Sequence, residues 1–335
     1  MKPRRYLLLL PIIVLLAMNA HGQSEKTPAT DQSDSDNWNL PFKTTGGKQL
    51  WTDVRHLAGW RIQINQVTGH HRLIDQSDVR RAWGSLASCE KKLASQAESD
   101  QLKPVTGKLV VLVHGLNRSH KSMGLLQKHL EESGYATINF QYASGRASIT
   151  DHGNALKTVI DNSAKDATEI SFVAHSLGNI VIRRYLKLVR DDNIDSREGD
   201  PRFHRMVMLA PPNRGSRMAR LFGKNIIFKT VTGGSGQELG KPWNEFEKLL
   251  AVPRFEFGVI AGGMDESSKI KNPLLPVPND LVVSVEETKL SGARDMVVRP
   301  FKHTFIMQQE ETLKMSSRFL TDGYFVSDED RKPIP

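Results

Sequence analysis

Apolar residues in the second part of the chain alternate between continuous runs and helical spacing. The first run is KLVVLVHG, which starts at Lys108. A strand that is apolar on both faces is expected where helices cover both sides of a sheet. Later runs are YATINFQY, ISFVAH, FHRMVMLAPP, FEFGVIAGG and DMVVRP, with helical patterns near residues 125–130, 155–160 and 177–188. This alternation predicts an α/β fold with a mostly parallel central sheet flanked by helices.

The segment before this alternation has a different pattern. Residues 60–64 alternate between apolar and polar, and the chain turns near Gly69 and returns, which predicts an antiparallel hairpin. Apolar residues at helical spacing follow, namely Val79, Ala82, Trp83, Leu86 and Leu93. Ser77 and Asp78 precede them and predict the capped start of a helix. We therefore expect residues 38–104 to form a hairpin and a helix that join the main sheet.

The start of the chain divides into two segments of opposite character. A basic beginning is followed by an apolar run over residues 6–18 and by small residues near Ala20 and Gly22. This order is typical of a secretory signal, and the run is shorter than the roughly 20 residues of a membrane span. Residues 1–22 are therefore predicted to be a signal peptide or N-terminal anchor of an exported protein, periplasmic or secreted. The polar residues 23–37 predict a disordered linker.

Between the runs FHRMVMLAPP and FEFGVIAGG the periodicity loosens over residues 213–252. Several apolar residues there look exposed, namely Leu221, Phe222, Ile226, Ile227 and Phe228. Two interpretations remain open, a helical insertion that completes the core and a lid over a site, because long excursions in compact domains are often functional. We assign residues 105–326 to the core domain, which includes this insertion, and residues 327–335 to a tail.

The segment ISFVAHSLGNIVIRRYL places Ser176 between a buried strand and a helix. A strained turn that exposes a serine needs small residues two positions away, and here these are Ala174 and Gly178, with His175 between strand and serine. The hydroxyl would lie at the carboxyl end of the sheet and the amino end of a helix, which favours ligands and negative charge. Ser176 is thus a candidate nucleophile, and a capping serine in a strand–helix turn is the alternative.

A serine nucleophile needs a histidine base, and the base needs a carboxylate that fixes its tautomer. His303 follows the last predicted strand in DMVVRPFKHTFIM. Two acids precede it, Asp265 after FGVIAGG and Asp280 in VPNDLVVSVEE, and either would complete the chain order Ser, Asp, His. The backbone N–H groups of Leu177 and Leu116 are the expected donors to an oxyanion.

Five segments then occur in a familiar order, VLVHGL, AHSLG, LAPPNRGS, NDLVVSVEETKL and HTFIM. Over residues 108–307 the chain resembles the α/β-hydrolase superfamily, and it is similar to bacterial triacylglycerol lipases and to esterases related to the GPI inositol-deacylases. In such lipases an Asp-Gly-Leu-Val segment supplies the acid, which favours Asp280 over Asp265. The residue after Asp280 is not glycine here, so the resemblance leaves the conformation of that loop open. Alanine at position 174 is a known variation in lipases.

Composition narrows the choice of function. The single cysteine, Cys89, excludes an internal disulfide framework and a cysteine zinc cluster, and its place near an apolar stripe predicts a packed thiol. The formal charge of +9 is spread without a long basic run, which fits a soluble basic protein or association with an anionic membrane surface. No nucleic-acid motif is present. No carboxylate pair matches the calcium site of secreted lipases, so we expect no metal and no cofactor.

These observations predict a serine esterase or lipase-like hydrolase that acts on carboxylic esters of small molecules or lipids. Ser176 would attack the carbonyl, His303 would transfer protons, and Asp280 would orient the imidazole. One alternative keeps these residues but transfers the acyl group to an alcohol or amine. The other is a noncatalytic binding protein on a hydrolase fold, because a fold does not guarantee activity.

Overall fold

The computed structural model of the chain describes residues 41–47, 49–192, 199–218, 235, 238, 242–264, 272 and 274–335. The predicted signal or anchor at residues 1–22 and the linker at residues 23–37 lie outside the described residues. So do the apolar residues 221–228, on which the choice between a lid and a core insertion depends. Within the described part of the chain, no helix combines the length and the apolar character that crossing a membrane requires.

The described elements form two sheets and a set of helices. The strands are β1 (Phe42–Lys43), β2 (Trp51–Leu57), β3 (Trp60–Asn65), β4 (His71–Ile74), β5 (Val79–Gly84), β6 (Thr106–Val113), β7 (Ala136–Phe140), β8 (Asp166–His175), β9 (Phe203–Leu209), β10 (Glu256–Gly262) and β11 (Asp295–Arg299). The helices are α1 (Leu86–Asp100), α2 (Gly124–Glu132), α3 (Ile149–Ser163), α4 (Leu177–Asp192), α5 (Trp243–Phe246), α6 (Val285–Thr288) and α7 (Glu310–Asp322). Short 3₁₀ turns cover His120–Met123, Glu247–Leu249 and His303–Gln308.

The large sheet has six strands in the order β11-β10-β9-β8-β6-β7. All of its neighbouring strands are parallel. In β6, the side chains of Leu109, Val111 and Val113 face one apolar cluster, and those of Val110 and Leu112 face the other. Helices α3 and α4 cover the first face, and α2 and α7 cover the second. This burial on both faces is the reason that the strands read as continuous apolar runs, and it confirms the predicted sheet flanked by helices.

The small sheet is antiparallel, with five strands in the order β1-β5-β4-β3-β2. The predicted hairpin corresponds to β3 and β4. The predicted helix start at Ser77 and Asp78 is wrong, because these residues form a turn that leads into β5. In that turn Asp78 has a φ of 62°, and the N–H of Ser77 donates to Asp75 Oδ1 at 2.9 Å. Helix α1 begins later, capped by Ser85, whose side chain accepts from the N–H of Ser88.

The expectation that this region joins the main sheet is also wrong, because its strands pair only with one another among the described strands. One face of the small sheet packs on α1 through an apolar cluster of Trp60, Ile62, Leu73, Ala82, Cys89 and Leu93. The Cys89 thiol is fully buried, and burial raises its pKa to about 12. The prediction of a packed thiol therefore agrees with the structure.

The tail at residues 327–335 lies against the start of β11. The N–H of Ile334 donates to the carbonyl of Ala293, and the Ile334 carbonyl accepts from Gly292, both at 2.9 Å. The N–H of Lys332 donates to Asp295 Oδ1, also at 2.9 Å. These bonds attach the tail at the amino end of β11, and this end of the large sheet is opposite the carboxyl ends of its strands.

Candidate active site

Ser176 occupies the corner between β8 and α4. Its φ of 52° is in the left-handed region, which costs a non-glycine residue about 1 kcal/mol or more. Its N–H donates to the carbonyl of Leu209 on β9 at 2.9 Å, which ties the corner to the neighbouring strand. The serine therefore stands at the carboxyl end of the sheet and before the first turn of a helix, as predicted.

Close backbone approach explains the small residues around the serine. A Cβ at position 178 would lie 2.7 Å from the carbonyl oxygen of His114 and closer still to that of Val113, at the end of β6. Ala174 is fully buried between strands. A Cβ at position 115 would lie 2.8 Å from His175 Nδ1, so the loop after β6 needs glycine to approach the corner. Contact with the end of β6 thus selects glycine at position 178, and contact with the His175 ring selects it at position 115.

The side chains predicted for a triad meet at this corner. His303 Nε2 lies 2.9 Å from Ser176 Oγ, and His303 Nδ1 lies 2.7 Å from Asp280 Oδ2. Asp280 is fully buried, and His303 is 8% exposed. The alternative acid, Asp265, lies outside the described residues. The imidazole thus bridges a hydroxyl and a carboxylate through its two nitrogen atoms.

The loop around Asp280 holds its carboxylate in place. Asp280 Oδ1 accepts from the N–H of Val282 at 2.9 Å and from the N–H of Val283 at 2.7 Å. The N–H of His303 donates to the carbonyl of Asp280 at 3.0 Å. Leu281 has a φ of 83°, the left-handed conformation that glycine adopts most easily. The loop therefore has a glycine-like conformation although the sequence lacks glycine there.

Two backbone donors face the same region. The N–H groups of Leu116 and Leu177 make no hydrogen bond with any residue that the structure describes. Leu116 lies in the loop after β6, and Leu177 is the first residue of α4. The loop is fixed by a bond from the N–H of Asn117 to Ser144 Oγ at 2.9 Å. Both predicted oxyanion donors are thus adjacent to the nucleophile and free to bind a ligand.

His175 has a structural contact that the sequence did not reveal. Its Nε2–H donates to the carbonyl of His303 at 3.0 Å, and the two ring centroids lie 4.8 Å apart. Burial lowers the pKa of His175 well below its usual range. His175 therefore stays neutral beside the His303 ring, and it supports the His303 backbone. A contact across 128 residues leaves no local signal in the sequence.

His114 supports the loop after β6. Its ring is fully buried, and burial lowers its pKa to about 3. Nδ1–H donates to the carbonyl of Gly115 at 2.8 Å, and the hydroxyl of Tyr142 donates to the carbonyl of His114 at 2.8 Å. A neutral, packed imidazole of this kind is a support for the loop and not a base.

Arg183 is a second support that sequence reasoning missed. It is 1% exposed on α4, and its Nε–H donates to the carbonyl of Ala251 at 2.9 Å. Its Nη1 donates to Asn213 Oδ1 at 3.1 Å, and Asn213 Nδ2 donates in turn to the carbonyl of Thr288 at 2.9 Å. Burial lowers the pKa of Arg183 to about 10, so it remains charged. It fixes the loop that begins at Pro212, one wall of the site.

A cavity of about 260 Å³ opens over the serine. Its walls are mainly apolar, and it is lined by Leu116, Asn117, Arg118, His175, Ser176, Leu177, Pro212, Ser216, Met218, Val282, Val283, His303 and Thr304. Within the described ranges, no three His, Cys, Asp or Glu side chains are grouped in a way that could hold a metal ion. The cavity can therefore hold a small or chain-like part of a ligand next to the Ser176 hydroxyl, which is within hydrogen-bonding distance of His303.

The chain is similar to known proteins both in sequence and in fold. Residues 104–232 match the model of a family described as "Putative serine esterase (DUF676)". No curated protein sequence matches the chain significantly. Among solved structures, the chain is similar to the lipase BlEst2 from Bacillus licheniformis in its propeptide form, with a TM-score of 0.50 and 16% identity over 68% of this chain and 54% of that one.

The mature form of the same lipase has a TM-score of 0.49 and 17% identity, over 65% of this chain and 96% of that one. Phospholipase PlaB from Legionella pneumophila has a TM-score of 0.44 and 19% identity, over 55% of this chain and 46% of that one. The chain thus spans about half the length of PlaB and of the BlEst2 propeptide form.

The chain has the α/β-hydrolase fold, which confirms the resemblance predicted from its segments. At this level of identity the solved structures show the fold and nothing finer. The family match is informative about the reaction, because it supports an ester hydrolase.

Proposed function

We propose that this protein is a serine hydrolase that cleaves carboxylic esters through an acyl-enzyme intermediate. The observation that carries the proposal is the bridge of His303, with Nε2 at 2.9 Å from Ser176 Oγ and Nδ1 at 2.7 Å from Asp280 Oδ2. Both distances are within hydrogen-bonding range. The first allows proton transfer from Ser176 to His303, and the second allows Asp280 to hold His303 in one tautomer. The left-handed turn at Ser176 and the unoccupied donors of Leu116 and Leu177 support the same chemistry.

In the first half of the proposed reaction, Ser176 Oγ attacks the ester carbonyl carbon while His303 Nε2 takes the hydroxyl proton. Asp280 keeps the other proton on Nδ1 and stabilises the imidazolium that forms. The carbonyl oxygen becomes an oxyanion that accepts from the N–H groups of Leu116 and Leu177. Collapse of this intermediate releases the alcohol, which takes the proton from His303 Nε2.

In the second half, a water molecule replaces the alcohol. His303 Nε2 removes a proton from the water as its oxygen attacks the acyl-enzyme carbonyl, and the same two N–H groups bind the new oxyanion. The carboxylic acid then leaves, and Ser176 recovers its proton from His303. The neutral His175 beside this imidazole adds no positive charge to oppose its protonation.

The proposal is tested by replacing the nucleophile alone. Ser176→Ala should lower kcat for p-nitrophenyl butyrate by about 10³-fold or more, because the variant keeps the N–H groups of Leu116 and Leu177 but has no hydroxyl to form an acyl-enzyme. Ser88→Ala, which changes a serine on α1, is the matched control and should keep the wild-type rate. Circular dichroism and thermal melting of both variants report whether the fold is intact.

A fluorophosphonate probe gives an independent measurement. It should label the wild-type protein and the Ser88→Ala variant but not Ser176→Ala. Labelling or undiminished turnover in Ser176→Ala would reject the assignment. An added alcohol acceptor then separates hydrolysis from acyl transfer, since transfer would yield a new ester in place of the free acid.

We further propose that the protein is exported. The basic start and the apolar run of residues 6–18 support this proposal. When expressing cells are fractionated, ester hydrolysis by the full chain should be measured outside the cytoplasm. A variant that lacks residues 1–22 should show this activity in the cytoplasm instead. Cytoplasmic activity of the full chain would reject export.

A further inference from the structure

Arg118 is a cationic side chain in the wall of the cavity that contains Ser176. It lies two residues after Leu116, in the loop between β6 and α2, and it lines the cavity together with His303. Its side chain is half-buried. Its guanidinium forms no hydrogen bond and no ion pair with any part of the chain that the structure describes.

The other partly buried arginines that the structure describes have partners. Arg61, for example, pairs with Asp78, and Arg202 donates to both oxygens of Asp200. A guanidinium carries five N–H donors in a planar fork that matches a carboxylate or a phosphate. Removing such a group partly from water without a partner is unfavourable, so a partner from outside the chain is the simplest account of Arg118.

The cavity has no described carboxylate that could take that role. Asp280 is the nearest acid of the site, but it is fully buried and its two oxygens are occupied by His303, Val282 and Val283. The charge of Arg118 also affects the pKa of His175, which lines the same cavity. Burial is the main cause of the low pKa of His175, and the charges of His303 and Arg118 lower this pKa further.

Hydrogen bonds fix the backbone of the turn from which the Arg118 side chain extends. The N–H of Arg118 donates to the carbonyl of Gly115 at 3.2 Å, which closes the turn that contains Leu116. The N–H of Asn117, whose φ is 56°, donates to Ser144 Oγ at 2.9 Å. The same short turn therefore presents an oxyanion donor and, two residues later, a cation. Both residues line the cavity that contains Ser176, so an ester bound at Leu116 would occupy the same cavity as the Arg118 side chain.

We propose that Arg118 binds an anionic group of the substrate, so that the preferred esters carry a carboxylate or a phosphate near the scissile bond. This inference rests on the proposed function, and it names the substrate class of the same site. Such a group would form a charge-assisted, bidentate pair with the guanidinium in a cavity that is only partly wet. Pairs of this kind change binding by about 10- to 100-fold.

The test compares esters that differ only in charge. On the acyl side, p-nitrophenyl butyrate is matched with the p-nitrophenyl monoester of glutaric acid and with p-nitrophenyl 4-(trimethylammonio)butyrate. On the alcohol side, phenyl butyrate is matched with 4-carboxyphenyl butyrate. Wild-type protein should show a kcat/KM for one anionic ester that is at least about tenfold above its neutral match. Vesicles of phosphatidylglycerol and of phosphatidylcholine extend the series to lipids.

Variants at Arg118 then assign the preference to this side chain. Arg118→Gln should lower the ratio of anionic to neutral kcat/KM by about tenfold or more, and Arg118→Lys should lower it less. Arg118→Glu should invert the ratio in favour of the trimethylammonium ester. Arg254→Gln is the matched control, because Arg254 is exposed, precedes the start of β10 and does not line the cavity. Its ratio should equal that of the wild type.

The outcomes separate this inference from the proposed function. If wild-type protein hydrolyses the esters without preference for an anionic one, or if Arg118→Gln keeps the preference, Arg118 does not bind the substrate anion although ester hydrolysis stands. If the wild type hydrolyses none of them, both proposals fall. A preference seen only with vesicles assigns the anion to a lipid headgroup, and one seen with soluble esters assigns it to the ester itself.

Discussion

The described part of the chain contains two buried histidine–aspartate pairs with nearly the same nitrogen–oxygen distance. In the candidate active site, His303 Nδ1 lies 2.7 Å from Asp280 Oδ2. In the small sheet, His56 Nε2 lies 2.8 Å from Asp53 Oδ2. Asp280 is 0% exposed and Asp53 is 1% exposed, and a serine stands beside each histidine. By composition and distance alone the two groups would be hard to distinguish.

They differ in what the serine and the carboxylate contact. Ser163 Oγ accepts from the backbone N–H of His56 at 2.8 Å, so its hydroxyl does not meet the ring. Ser163 ends α3 and has no left-handed turn. Asp53 accepts from Gln63 Nε2 and from the N–H of Gln141, each at 2.7 Å, and so it ties the small sheet to the end of β7.

The charge of Asp53 also has a structural explanation. Burial alone would raise its pKa, but the charge and hydrogen bond of His56 and the charge of Arg61 outweigh burial and lower it to about 2. Asp53 is thus an ionised tie between two sheets. Of these two pairs, only that of His303 has its other ring nitrogen within hydrogen-bonding distance of a serine hydroxyl, which is the contact that the proposed general base requires.

The largest expected difference is in turnover. His303→Gln should lower kcat for p-nitrophenyl butyrate by about 10³-fold or more, because no other group accepts the Ser176 proton. His56→Gln should keep kcat within about threefold and lower the melting temperature instead, because its pair is structural. Steady-state kinetics and thermal melting of both variants measure this. Similar losses of kcat in the two variants would refute the distinction.

The two carboxylates should differ in the same way. Asp280→Asn should lower kcat by about 10²- to 10⁴-fold, since the amide cannot hold the imidazole in the required tautomer. Asp53→Asn should instead lower the free energy of unfolding by about 3 kcal/mol, because it leaves buried partners without their charge. Urea denaturation and kcat are measured for each. A stable Asp53→Asn protein with low kcat would reverse the assignment.

Among the described residues, three buried histidines have no hydrogen bond to a carboxylate, namely His114, His152 and His175, and the first two extend the comparison to low pH. Burial lowers the pKa of His114 to about 3 and that of His152 to about 4, from 6.5 in the unfolded chain. Between pH 6.5 and about 4 the unfolded chain binds protons that the folded protein does not. Stability should therefore fall as pH decreases, by about 1.4 kcal/mol per pH unit for each histidine.

His152→Phe tests this slope, because its ring packs on Tyr142 and phenylalanine keeps that contact. The variant should lose less stability than the wild type between pH 6.5 and 4.5, measured by urea denaturation at each pH. An unchanged slope would show that His152 is protonated in the folded protein.

The smallest expected effect concerns the loop that holds Asp280. Leu281 has a φ of 83°, a conformation that costs leucine about 1 kcal/mol and glycine almost nothing. Leu281→Gly should therefore keep kcat and leave stability equal or up to about 1 kcal/mol higher. Leu281→Val should destabilise, because a β-branched residue tolerates positive φ poorly. Greater stability of the valine variant would show that the loop is not strained.

The sequence predicted the large sheet well, because its strands are apolar on both faces and cannot be confused with surface segments. It also predicted the corner at Ser176, since Gly178 is dictated by the close approach of the β6 backbone at that turn. Asp280 and His303 come after the serine in the chain, and each follows a later predicted strand. These features are local, or they follow from the order of the strands.

The failures are equally specific. Val79, Ala82 and Leu86 fit a helical stripe, but the bonds of Asp75 to the residues after it make a tight turn and continue the chain as β5. The contacts of His175 and Arg183 depend on loops that are distant in the chain. No periodicity encodes such contacts, so they became visible only in three dimensions.

The buried Cys89 has a practical consequence for spectroscopy. It is the only thiol in the sequence and is 0% exposed, so maleimide dyes and nitroxide reagents should leave the native protein unmodified. A cysteine introduced at Phe305, which is 49% exposed two residues after His303, would then carry the sole label. Its fluorescence or spin signal would follow substrate entry without the need to engineer a cysteine-free background.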